Sequence, residues 1–132
     1  MKGSCLCGAL RYEVEVLGTA IVHCHCRTCR KAHGAAFSSN AQVAREAFRW
    51  LGGQQALACF EPAPGVRRYF CRQCGSPLLA EREGEAQLLL KVASLDDDPG
   101  VLPYAHIWTD HDVPWLESCG GQMYHQGLPP EA

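Results

Sequence analysis

At 132 residues the chain can bury one hydrophobic core but is short for two ordinary domains, so a single domain over 1–132 is expected. Its 12 basic and 14 acidic residues leave a net charge of -2, a balance that argues against nucleic-acid binding. No run approaches the roughly 18–20 apolar residues of a membrane span, and the opening MKGSCLCGALRYEV has no export-type apolar stretch, so a cytoplasmic protein with reduced cysteines is expected.

In chain order the first signal is GSCLCGA, where Cys5 and Cys7 flank a single leucine. A flat strand would hold their side chains on one face about 7 Å apart, too far for two sulfurs on one ion. The segment is therefore expected to curl, with Gly3 and Gly8 permitting it. Residues 9–16 follow with Leu10, Tyr12, Val14 and Val16 alternating onto one face, the period of a half-buried strand. A second short strand is expected over 19–23.

HCHCRTCRKAHG then brings Cys24, Cys26 and Cys29 into one short cluster, with a helical turn expected at 27–32 and the basic residues Arg27, Arg30 and Lys31 upon it. Strands are expected at 36–43, 56–60 and 66–70, with a helical turn near 45–48. Next, FCRQCGSPL sets Cys71 and Cys74 in a CxxC followed by Gly75, the turn of a zinc knuckle. Two more strands are expected at 87–93 and 104–108. Gly and Pro punctuate these runs too closely for long helices, so the fold class is mainly β with few helical turns. Only the tail GLPPEA reads as loosely held.

Nine cysteines without an export signal point to metal or thiol chemistry. Cys5, Cys7, Cys71 and Cys74 make two half-sites that can close one four-cysteine zinc site, joining the N-terminus to the second half of the domain as a structural staple. The alternative, a redox CxxC of thioredoxin type, lacks a surrounding βαβ pattern. Cys24, Cys26 and Cys29 can hold a second ion with one position that the motif does not fill, the mark of catalytic rather than structural zinc.

Candidates for that position are His23, His25, His33, Cys59, His106 and Cys119. For each histidine a hydrogen-bonded imidazole is the plainer reading, and Cys59 reads as a small buried core residue. Three thiolates on a divalent ion leave a charge near -1, which Arg27, Arg30 and Lys31 can offset while attracting an incoming anion. Thiolate ligands alone do not separate zinc from iron.

These motifs, with RRYFCRQCGSPLLAE, ASLDDDPGVLPYAHIW and PWLE, resemble the glutathione-dependent formaldehyde-activating enzyme family, which also includes centromere protein V. The resemblance spans about residues 3–117. It implies a β-tent fold of small antiparallel sheets and two zinc ions per chain. Cys5, Cys7, Cys71 and Cys74 match the structural site, and Cys24, Cys26 and Cys29 match the catalytic one.

It further implies a carbon-sulfur lyase reaction run in reverse, with glutathione and formaldehyde giving S-hydroxymethylglutathione. The alternative is a non-enzymatic zinc module that binds glutathione or a protein partner. Of the weaker features, LDDDPG reads as a solvated turn, and Trp108 and Trp115 as core aromatics. His106, expected on the same strand face as Trp108, is a candidate proton carrier.

Overall fold

The computed structural model describes residues 1–116, so Cys119 and the expected loose tail lie outside the described residues. The strands are β1 (Lys2–Ser4), β2 (Arg11–Val14), β3 (Ile21–Cys24), β4 (Ser38–Ala44) and β5 (Phe48–Gly52). They continue with β6 (Leu57–Ala63), β7 (Val66–Cys71), β8 (Pro77–Arg82), β9 (Gln87–Lys91) and β10 (Pro103–Ile107). The α-helix α1 (Arg27–His33) follows β3 and ends on Gly34 in the left-handed region. The fold is mainly β, as expected.

β1, β2 and β5 form a three-stranded sheet, and the other strands form a seven-stranded sheet in the order β10-β3-β4-β9-β8-β7-β6. Every pairing is antiparallel except β10 with β3. That parallel pairing sets His106 opposite His23 and Ile107 opposite Cys24.

Tyr12 ties the three-stranded sheet to the 3-10 turn Val92–Ser94 that follows β9. It is fully buried, stacks on Phe48 at 5.2 Å between ring centroids, and its hydroxyl lies 2.7 Å from the Ser94 Oγ. Gly3 pairs with Tyr12, and a Cβ at Gly3 would come within 2.1 Å of the Tyr12 ring. Gly3 is therefore needed for close packing, not for the curl expected of it. Leu10, Tyr12 and Val14 are buried as the alternation predicts, but β2 stops at Val14 and leaves Val16 exposed.

Three strands were not legible as strands. Pro77 reads as a breaker, yet it opens β8, where the first residue of a strand tolerates a missing N–H. β5 begins at Phe48, directly after the 3-10 turn Arg45–Ala47, so the end of the expected helical turn is in fact strand. β1 is three residues long and is held largely by distant groups: Ser4 Oγ donates to Asp96 at 2.8 Å and the Lys2 N–H to Asp97 at 2.7 Å. Asp98 accepts from the Gly100 N–H at 2.8 Å, the local turn contact expected, whereas Asp96 and Asp97 tie β1 down.

Candidate metal centres

The first cluster is built by two turns. After β1 the chain reverses so that the Gly8 N–H donates to the Cys5 carbonyl at 3.0 Å, with Gly8 at φ 78°. After β7 the same device recurs: the Gly75 N–H donates to the Cys71 carbonyl at 2.8 Å, with Gly75 at φ 78°. A side chain at either glycine would strain that backbone. The two turns are joined by the Leu6 N–H donating to Ser76 Oγ at 2.9 Å.

The result brings the sulfurs of Cys5, Cys7, Cys71 and Cys74 within 4.8 Å of one another. Cys5 and Cys7 sulfurs are 3.6 Å apart, and those of Cys7 and Cys71 are 3.8 Å apart. Four sulfurs at about 2.3 Å from a tetrahedral ion would be separated by about 3.8 Å, so the donor set fits such an ion. Cys5 and Cys71 are buried in the core, Cys74 is half-buried and Cys7 is exposed.

The second cluster is assembled over six residues. Cys24 ends β3, Cys26 caps α1 with its sulfur accepting from the Cys29 N–H at 3.3 Å, and Cys29 is the buried residue of α1. Their three sulfurs also lie within 4.8 Å of one another. Burial, reinforced by Cys29 and Cys26, pushes the Cys24 thiol up to about 12. Burial also opposes ionisation of Cys29, but the Ser38 hydroxyl, Cys26, Cys24 and the Lys91 charge outweigh it and hold that thiol below its ordinary value. Three sulfurs this close ionise at one another's expense, and a divalent cation relieves that repulsion. This donor set too fits a metal ion.

No fourth side chain among the described residues joins this cluster. His23 Nδ1 lies 2.9 Å from Ser39 Oγ. His25 is buried, with Nε2 2.8 Å from His106 Nδ1 and Nδ1 paired with Asp112. Phe37 packs against the rings of His23 and His25 at 4.5 and 4.9 Å. His33 lies on the last turn of α1 with its Nε2 buried. Cys59 is exposed on the edge strand β6, not in the core as expected, because none of the described residues covers the outer side of this strand, whose residues are mostly exposed.

Asp112 reaches His25 through a turn that sequence did not reveal. β10 ends at Ile107, and Trp108 takes φ 59°, the one positive φ at a non-glycine among the described residues. A bulky residue there is strained. Trp108 thus leaves the strand face of His106 and packs edge-on against His111 at 5.6 Å. It is 60% exposed and Trp115 56%, so neither is the core aromatic expected.

A cavity of about 570 Å³, within the roughly 300–1,000 Å³ of small-molecule sites, approaches the second cluster through Ser38 and Lys91, which act on Cys29, while Cys24, Cys26 and Cys29 are not among its lining residues. Its lining includes Phe37, Ser38, Ser39, His33 and Lys91, and it extends to Ser4, Cys5 and Asp96 beside the first cluster. Lys91 is 4% exposed, and its Nζ donates to Asn40 Oδ1 at 2.9 Å. Asn40 in turn donates to Ser38 Oγ at 2.8 Å. Sequence reading missed Lys91, although a single lysine inside the apolar run QLLLKVA was the available signal. Arg27 and Lys31 project into solvent on α1, while Arg30 is half-buried.

Residues 1–111 match the family model of the glutathione-dependent formaldehyde-activating enzyme. A Podospora anserina protein provisionally named as such an enzyme is 32% identical over 84 residues, which cover 61% of this chain and 39% of that protein. An Aspergillus flavus protein with the same provisional name is 30% identical over 82 residues, covering 60% of this chain and 42% of its own length. The chain thus spans about two fifths of the curated relatives it matches. The crystal structure of a Rhodobacter sphaeroides protein superposes with a TM-score of 0.65 at 27% identity, over 80% of this chain and 99% of that one.

Proposed function

Since the chain belongs to the glutathione-dependent formaldehyde-activating enzyme family, we propose that it is a zinc-dependent protein of carbon-sulfur lyase type acting on a small thiol adduct. Glutathione plus formaldehyde, giving S-hydroxymethylglutathione, is the pair the family name suggests. The observation that carries this reading is the three-cysteine cluster, with no fourth ligand among the described residues.

Cys5, Cys7, Cys71 and Cys74 would hold a structural zinc, and Cys24, Cys26 and Cys29 a catalytic one. When bound at the second cluster, zinc supplies a Lewis-acidic position at which a thiol is ionised near neutral pH. Holding the thiol and the aldehyde side by side would lower the entropic part of the barrier. In the addition the sulfur bonds to the formaldehyde carbon, the carbonyl π bond breaks, and the oxygen gains the proton that the thiol lost. His106 would carry that proton on Nε2, since its Nδ1 faces His25 at 2.8 Å.

Thiols also add to formaldehyde unaided, so the test is the exchange rate between formaldehyde and its glutathione adduct, measured by NMR with and without protein. A protein-dependent rate that Cys26→Ser abolishes supports an enzyme. A rate equal to background leaves a module that binds glutathione. A second reading, docking to a protein partner, draws on Leu102, Tyr104, Ile107 and Trp108, which are all exposed on or beside the edge strand β10.

A further inference from the structure

A second cavity, of about 260 Å³, lies on the seven-stranded sheet, and none of the cysteines lines it. It is several times larger than the roughly 30 Å³ of one water, which suits a small ligand.

The sheet register builds this cavity. Arg68 of β7 stands opposite Ala80 of β8, Ala80 opposite Leu89 of β9, and Leu89 opposite Gln42 of β4. Opposed residues share a face, so these four form one row across the sheet. Arg82, two residues on from Ala80 and opposite Val66, lies on the same face. Arg68 and Arg82 are therefore diagonal neighbours, about 7–8 Å apart at the backbone and within reach of each other's long side chains.

Two guanidinium groups so placed repel one another unless an anion stands between them. No ion pair among the described residues includes either arginine. Arg68 is half-buried, and its Nη2 is buried without a hydrogen-bond partner among the described residues. Leaving such a donor unpaired is unfavourable. Arg68 also acts on Lys91, itself a cation, and opposes its charge.

Two acidic residues line the cavity as well. Glu81 alternates onto the other face of β8, where Tyr69, Arg45 and Arg67 engage its carboxylate. Glu85 is exposed in the turn between β8 and β9 and joins no ion pair among the described residues. Against the two arginines it leaves a surplus of one positive charge. Gln87 Oε1, also buried without a partner, lies on the β4 side, where a Cβ at Gly18 would stand 3.1 Å from it.

We propose that Arg68 and Arg82 form an oxyanion site in this cavity, taking a carboxylate or a phosphate group between their guanidinium forks. Both groups match the planar donors of arginine. The site is separate from the two metal centres and does not depend on the thiol chemistry proposed above.

The test titrates the zinc-loaded protein at pH 7 and constant ionic strength with inorganic phosphate and, separately, with acetate, following the guanidinium Nε–H signals by NMR. One or both anions should move the Arg68 and Arg82 signals together along a saturating curve, and the lower midpoint tells a phosphate group from a carboxylate. Arg82 is exposed, so Arg82→Gln should keep the fold and the metal count. It should raise the midpoint read at Arg68 by about tenfold or more, the scale of one charged hydrogen bond. Shifts that grow linearly with both anions overturn the site. So does saturation that leaves Arg68 and Arg82 unmoved, or a midpoint unchanged in Arg82→Gln.

Discussion

Nε2 of His25 faces Nδ1 of His106 at 2.8 Å, across the parallel pairing of β3 with β10, and the other nitrogen of His25 meets Asp112. The three side chains form a line that runs from a buried imidazole to an exposed one. None of them belongs to the three-cysteine cluster. On the mechanism proposed, proton handling would thus be separate from metal holding.

His106→Ala should therefore keep the full metal count and lower turnover by about a hundredfold, a typical scale for losing a general acid or base. Asp112→Asn should lower it less, because Asp112 acts through His25. The checks are metal analysis beside the NMR exchange rate. Unchanged turnover in His106→Ala would remove His106 from the mechanism.

Cys71→Ser and Cys26→Ser should separate the two centres. Metal binding on the order of 10 kcal/mol is folding free energy at a structural site, comparable with the whole stability of a domain. Cys71 is fully buried in the core, so Cys71→Ser is expected to lose the fold, seen as lost near-ultraviolet circular dichroism. Cys26→Ser should fold and lose one ion.

Gly3→Ala should destabilise the protein by about 1–3 kcal/mol in urea denaturation, the usual range for overpacking a filled site. The added methyl would lie 2.1 Å from the Tyr12 ring, which is fully buried and cannot swing out without releasing Ser94. Gly8→Ala meets no neighbour within 4 Å, and its cost should come from backbone strain at φ 78°.

Glu81 should govern part of the acid limb of stability. Burial opposes its ionisation, but the Tyr69 hydroxyl at 2.6 Å, Arg45 and Arg67 outweigh it and hold its carboxyl below the ordinary value of 4.5. A depressed folded-state value contributes stability that is present above pH 4.5 and lost as pH falls through the lower folded value. Glu81→Gln should lower stability at pH 7 by about 1–3 kcal/mol, as expected when charged hydrogen bonds are removed, and flatten its fall below pH 4.5. Thermal unfolding across pH 3–7 reads both effects.

What sequence revealed is what local spacing controls. Cys24, Cys26 and Cys29 lie within one turn and a helix start, so their convergence was legible before any fold was known. Leu10, Tyr12 and Val14 announced their buried face by alternation. The pairing of Cys5 and Cys7 with Cys71 and Cys74 followed from ligand number.

What stayed hidden depends on distant contacts. Asp112 reaches His25 across 87 residues through the left-handed Trp108, and no motif encodes such a turn. Cys59 and the two tryptophans were misplaced because alternation or aromatic character cannot show whether a face is covered. Lys91 was passed over inside an apolar run, where its charge was the clue.

The most direct measurement of the central claim is the metal count per chain together with X-ray absorption of the second ion, with and without glutathione. The account predicts two zinc ions, the second bound by the sulfurs of Cys24, Cys26 and Cys29 and one exchangeable light-atom ligand that glutathione sulfur replaces. A second ion held by four protein ligands and unchanged by glutathione would contradict it.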